Sequence, residues 1–120
     1  MKRHMLKSKV YNVTIVDLQL HYQGSITIDE NILLEADLKP GEKVDVLNLN
    51  NGLRLQTYVI KGEKGSGTIC LNGPAARCGY KGDKIVIISY GVYDDAECDK
   101  LQAKYVELDD ENKIKNSFLA

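Results

Sequence analysis

In the stretch HYQGSITID, residues 21–29, a serine hydroxyl directly follows a glycine where an alternating apolar pattern begins. Serine is a weak nucleophile until something activates it, so residue type alone does not separate chemistry from a turn. Gly24-Ser25, with Tyr22 two residues before the glycine, reads most simply as a turn, since glycine supplies backbone angles other residues avoid. Elsewhere stand two cations in strand-like segments, Lys9 and Arg54, a hydroxyl and a phenol at Thr57-Tyr58, and a carboxamide at Asn72-Gly73. Each has a plain reading too. Strand cations commonly face solvent, a tyrosine among apolar neighbours sits at a core rim, and Asn-Gly marks a turn. One at a time, none of these residues names a reaction.

The elements that must hold them are mostly short strands. KVYNVTIVDLQL (9–20) alternates at Val10, Val13 and Ile15 and resumes at Leu18 and Leu20. SITI, KVDVLNL, LRLQTYVI, GTICL and KIVIISY follow, each bounded by Gly, Pro, Asn or Asp. Asn51-Gly52 predicts a type I′ hairpin turn, which needs positive φ at both residues. Helices are few and short. Asp29 is placed to cap ENILLEADL, whose Ile32, Leu33 and Ala36 share a face. Pro74 suits the first turn of PAARCGY, and Asp94 with Glu97 forms a capping box for DAECDKLQA. Residues 109–120 read as a turn and a mobile tail. PGEKVDVLNL (40–49) and KGDKIVIISY (81–90) share Gly, acid, Lys and alternating branched residues, their glycines 41 positions apart. Two copies are too few for a solenoid but suit pseudo-symmetric halves of a closed barrel, which has no exposed edges.

A chain of 120 residues with 43% apolar content fits one domain over 1–120. Its net charge of −1 gives no global field to recruit nucleic acid or anionic lipid. Cys70, Cys78 and Cys98 lack CxxC spacing and read as packing residues in a reducing cytoplasm. With only His4 and His21 beside them, both read as surface or interface histidines, no metal site is expected. The longest apolar run, IVII at 85–88, is far short of the roughly 20 residues of a membrane span, and no signal-peptide core opens the chain.

MLKSKVYNVTI, LHYQGSITID, NNGLRLQTYVI and CLNGPAARCGYKGDKIVIISY, taken together, resemble the aspartate 1-decarboxylase family, small pyruvoyl-dependent enzymes that make β-alanine for pantothenate biosynthesis. The specific signature is Lys9, Tyr22-x-Gly24-Ser25, Arg54-x-x-Thr57-Tyr58 and Asn72-Gly73, in that order and at those separations. The resemblance covers residues 1 to about 93 and implies a six-stranded double-psi β-barrel, mainly β with a few short helices. It also implies a homotetramer with sites shared between neighbours, and cleavage that is either spontaneous or assisted by a maturation factor.

Decarboxylating an amino acid leaves a carbanion at Cα that no ordinary side chain delocalises, so an electron sink is needed, usually pyridoxal phosphate. No glycine-rich phosphate cradle opens a long helix here. In the chemistry the resemblance implies, the Ser25 hydroxyl attacks the Gly24 carbonyl and the amide becomes an ester. Elimination and hydrolysis then leave a β-chain, 1–24, and an α-chain, 25–120, headed by a pyruvoyl group. L-Aspartate joins that group as a Schiff base. By resemblance, Lys9 and Arg54 hold its carboxylates, with arginine the better bidentate clamp. Tyr58 gives the Cα proton, being neutral at pH 7 with an ordinary pKa of about 10. Thr57 and Asn72 are polar groups near the scissile carbonyl or substrate, Gly73, Pro74 and Ala75 line the substrate carboxylate, and Tyr22 flanks the processing loop.

Two positions depart from common family residues: Tyr11 stands where histidine is frequent, and Pro74 where alanine is. Proline has no N–H, so a polar contact there comes from its carbonyl or from neighbouring amides. Two other classes of function are compatible with a small β-barrel of this length. One is a small β-barrel binding module, such as a swapped-hairpin DNA-binding regulator, which needs a basic face. The other is a non-catalytic assembly subunit, which has no use for Gly-Ser with Arg and Tyr at these spacings.

Overall fold

The chain forms nine strands in a computed structural model that describes residues 1–22 and 24–120, most of them from the apolar runs. In chain order they are β1 (Lys2–Thr14), β2 (Asp17–Gln19), β3 (Ser25–Asp29), β4 (Lys43–Asn48), β5 (Arg54–Gly62), β6 (Ile69–Asn72), β7 (Lys84–Asp94), β8 (Lys104–Leu108) and β9 (Ile114–Leu119). Helix α1 (Glu30–Ala36), a 3-10 turn at Gly73–Cys78 and the short α2 (Asp95–Cys98) interrupt them. Their hydrogen-bonded order is β2-β6-β3-β5-β4-β7-β1-β8-β9.

Six of these form the expected barrel. β2 continues the path of β1, and the Val16 N–H donates to the Ile69 carbonyl at 3.0 Å, so β6 lies beside the end of β1 as well as beside β3. The ring β1, β7, β4, β5, β3, β6 closes there, while β8 and β9 form an added ribbon along β1. Alternation sorts the side chains: Ile85, Ile87, Val44 and Val46 point to a buried core shared with Ile26, Ile28, Ile69 and Leu71, and a register shift in β1 between Val10 and Val13 brings both of these into it as well. α1 plugs one end with Ile32, Leu33 and Ala36, as its spacing predicts, and the Asp29 carboxylate accepts the Asn31 N–H at 2.8 Å.

The internal similarity proves to be a pseudo-two-fold axis. β4 and β7 are antiparallel, and Val46 lies opposite Ile87, its own counterpart 41 residues on. Loop contacts repeat across that axis. Glu42 accepts the Lys39 N–H (3.0 Å) and the Ser89 hydroxyl (2.6 Å); Asp83 accepts the Tyr80 N–H (2.9 Å) and the Asn48 amide (2.9 Å). The relation extends to GSITID (24–29) and GTICLN (67–72), whose glycines both take positive φ, 100° and 72°, and which both lead into helical turns.

Three local expectations are corrected. The Asn51-Gly52 hairpin exists, but of the pair only Gly52 has positive φ, 74°. The Asn51 side-chain oxygen instead accepts the Leu53 N–H at 2.9 Å, and the loop closes between Asn48 and Leu53; a side-chain turn of this kind replaces the two-residue I′ geometry. Residues 109–120 are not a tail. Asn112, at φ 59° and buried, donates to the carbonyls of Thr14 and Gly67 (both 2.9 Å) and accepts the Thr14 N–H (2.9 Å). β9 then runs back along β8, with Tyr105 stacked on Phe118 at 5.1 Å. The capped segment after Asp94 also stops early, at Cys98, with Glu97 accepting the Asp94 N–H at 2.9 Å. Among the described residues, no helix is long and apolar enough to cross a membrane.

Candidate active site

The antiparallel pairing of β3 with β6 sets Ser25 opposite Asn72. Ser25 is fully buried, and its Oγ accepts a hydrogen bond from Asn72 Nδ2 at 2.8 Å. The second Nδ2 hydrogen goes to Thr27 Oγ1 at 2.9 Å, and the Cys70 thiol donates to Asn72 Oδ1 at 3.2 Å. Burial pushes the Cys70 thiol up, and the nearby Asp17 charge adds to that, so it remains a neutral S–H donor. The carboxamide therefore presents a fixed donor to the serine oxygen.

Gly24 precedes this hydroxyl with φ 100°, a conformation L side chains rarely adopt. Gly73, at φ 63°, lies so close that a Cβ there would run into the Tyr22 carbonyl oxygen and stand 2.5 Å from the Gly24 nitrogen. Glycine at both places lets two backbones touch, and this contact seats the 3-10 turn against the Gly24-Ser25 junction. Tyr22 itself is exposed.

Above the junction opens a cleft of about 380 Å³ lined by Gly24, Thr57, Tyr58, Pro74 and Ala75, with Leu55, Gln56 and Cys78 completing it. The structure thus gathers Gly24, Ser25, Thr57, Tyr58, Asn72, Gly73, Pro74 and Ala75 in one place. Gln56 and Cys78 are additions that residue type did not flag. Gln56 lies on β5 between Thr57 and Leu55, and Cys78 ends the turn that Pro74 starts, so only their elements place them.

Lys9 and Arg54 do not join that cleft within one chain. Arg54 is engaged by Asp45, whose Oδ2 accepts from Nη2 (2.9 Å) and Nε (3.2 Å), and by the Tyr90 hydroxyl at 3.2 Å from Nη2. These partners, Asp45 foremost, hold the guanidinium even further above its usual pKa. Lys9 borders a separate groove with Tyr11, Val86, Tyr105 and Phe118. The outer sheet face around these cations carries exposed Tyr90, Val92 and Phe118. Among the described residues, no group of His, Cys, Asp and Glu is disposed to hold a metal ion.

Comparison with known proteins bears on the whole chain. A profile of the aspartate decarboxylase family matches residues 1–115. An aspartate 1-decarboxylase of Thermoanaerobacter pseudethanolicus is 53% identical over 97% of this chain and 99% of its own. One from Heliobacterium modesticaldum is 51% identical over 95% of this chain and 86% of its own. Another, from Bacillus cereus, is 48% identical over 95% and 90%.

Proposed function

Since this chain belongs to the aspartate decarboxylase family and is an aspartate 1-decarboxylase by activity, we propose that it converts L-aspartate to β-alanine and CO₂ through a pyruvoyl group made from Ser25. The observation that carries this reading is the buried Ser25 hydroxyl, gripped at 2.8 Å by Asn72 immediately after a positive-φ glycine on the rim of the cleft.

Maturation begins when Ser25 Oγ adds to the Gly24 carbonyl carbon and the C–N bond breaks, the hydroxyl proton passing to the Ser25 nitrogen as the acyl group moves from nitrogen to oxygen. A glycine at 24 leaves that carbon unshielded by a Cβ. Loss of the Ser25 Cα proton then expels the Gly24 carboxylate, and the resulting dehydroalanine takes up water and releases ammonia, leaving a ketone at residue 25. The Asn72 amide, able to donate only from Nδ2, stabilises negative charge as it builds on the serine oxygen. Thr57, across the cleft, is the second polar group assigned to this step.

The residues present suit such a group: a buried position 25 beside an amide donor, directly behind Gly24 on the wall of a cleft that also carries a phenol. Once formed, the pyruvoyl carbonyl supplies the electron sink for the bond to the departing carboxylate. The chain's own residues do the rest. Tyr58, its ring at the cleft, returns a proton to Cα. The backbone at Gly73, Pro74 and Ala75 faces the substrate carboxylate, with Pro74 contributing only its carbonyl. Lys9 and Arg54 supply positive charge for aspartate's two carboxylates, and they reach the cleft of a neighbouring subunit in a homotetramer. Their place on an outer face with exposed apolar side chains favours that arrangement over one within a single chain. The product serves pantothenate biosynthesis in the cytoplasm.

Denaturing mass spectrometry of purified protein tests the core of this reading. Two fragments dividing before residue 25 are expected, and Ser25→Ala is expected to stay whole, folded and unable to release CO₂ from aspartate. A single full-length wild-type species after prolonged incubation, or CO₂ release by the alanine variant, defeats it.

A further inference from the structure

Asn72 can present either end of its carboxamide to Ser25, and the two ends do opposite things. Nδ2 donates and lowers the energy of a developing alkoxide. Oδ1 accepts, and offers nothing to a negative oxygen. The neighbours decide which end is used. Ser25 and Thr27 are hydroxyls and can pair with either end, so they do not discriminate. The Cys70 thiol does: neutral and buried, it has a hydrogen to give, and it lies 3.2 Å from Oδ1. Turned over, the amide would aim both Nδ2 hydrogens at the thiol side, where the sulfur is a single weak acceptor, and would leave one of them buried without a partner, whereas as observed both Nδ2 hydrogens and Oδ1 are paired.

Placement supports this division of labour. Thr27 and Cys70 are direct cross-strand partners in the β3–β6 pair, two residues in from the Ser25–Asn72 pair. All four side chains therefore stand on one face of the same ribbon, a four-membered cluster with Asn72 bonded to each of the others. Nothing in the proposed chemistry uses Cys70 or Thr27 directly.

We infer that Cys70 and Thr27 are positioning residues for maturation: the thiol selects the amide face, Thr27 anchors the second Nδ2 hydrogen, and together they hold the donor on Ser25 Oγ. This rests on the reading that Ser25 cleaves the chain. It differs from a packing role in one respect: what matters is the hydrogen bond, not the volume.

The test compares cleavage rates of full-length chains by mass spectrometry, with thermal midpoints measured in parallel. Cys70→Ala and Thr27→Val remove the hydrogen-bonding group, and Cys70→Ser and Thr27→Ser restore one. Losing a bond to a buried polar group is expected to slow cleavage by about tenfold in Cys70→Ala and Thr27→Val, while the two serine variants stay within about threefold of wild type. Because Thr27→Val nearly preserves shape, it keeps the test open should Cys70→Ala fold poorly. Wild-type-like cleavage in Cys70→Ala and Thr27→Val overturns the inference alone. So does equal impairment of each pair, since that is packing. An uncleaved wild type overturns the underlying reading of Ser25 as well, and is thereby distinguished.

Discussion

Tyr58 and Gly73 have the most exposed consequences among single residues. Tyr58→Phe keeps the ring at the cleft and removes its proton, so the chain is expected to mature normally while kcat falls by about a hundredfold or more. KM should change little, and steady-state kinetics on the cleaved variant check both. Gly73→Ala inserts a Cβ against the Tyr22 carbonyl and the Gly24 amide. Both cleavage and the thermal midpoint are expected to fall, measured by fragment mass and by melting. The contrast shows what residue type reveals. Ser25, Tyr58 and Asn72 carry functional groups, and their order along the chain was enough to bring them forward. Gly73 acts by lacking a side chain where the backbone of Tyr22 and Gly24 passes, 51 and 49 residues away in sequence, and Cys70 acts by where its thiol points once β6 is paired with β3; neither property leaves a local mark.

Strands and loops were legible wherever alternation was strong and turn residues bounded it, as for β4, β5 and β7. They were least legible where a few polar bonds outweigh pattern. KIKNSFL is too polar to read as a strand, and β9 forms because Asn112 fixes the preceding turn to Thr14 and Gly67. The loops before β4 and β7 make a prediction at this scale. Burial alone raises Glu42, but the Ser89 hydroxyl, the Lys39 amide and the Lys7 ammonium outweigh it and hold the carboxyl below its ordinary value of 4.5. The Asn48 amide and the Tyr80 N–H likewise hold Asp83 below 3.8. For both, the folded chain binds fewer protons than the unfolded one across that interval. Their stabilisation is therefore complete above the ordinary carboxylate range and is lost as pH falls through it. The melting temperature should be flat above about pH 6 and drop below about pH 5. Glu42→Gln should make that acid decline shallower, as scanning fluorimetry from neutral to acid pH would reveal.

For the molecule as a whole, family membership removes the binding-module and DNA-regulator readings, and a net charge of −1 agrees. Cations held apart from the cleft make the assembly testable by complementation. Arg54→Ala alone should lower kcat/KM for aspartate more than about tenfold, by loss of a charge-assisted clamp. Co-expressed with Ser25→Ala, it should regain part of that loss, because the proposed tetramer, when mixed, pairs the ketone of one variant with the arginine of the other. CO₂ release no better than that of Arg54→Ala by itself would place both groups in one subunit. The barrel's two-fold relation reaches further than architecture. Gly67-Thr68 is a sister junction to Gly24-Ser25, with the same kind of glycine and a hydroxyl in the same place. Its environment is of opposite polarity: the Asp29 carboxylate takes the Gly67 N–H at 2.8 Å, and Thr68 Oγ1 pairs with Ser66 Oγ at 2.7 Å. Each polypeptide thus carries its own unedited duplicate of the proposed scission motif, an acid where the copy at Gly24-Ser25 has an amide, and a third fragment breaking before Thr68 would mean that the backbone turn, rather than the donor facing it, is what licenses the cut.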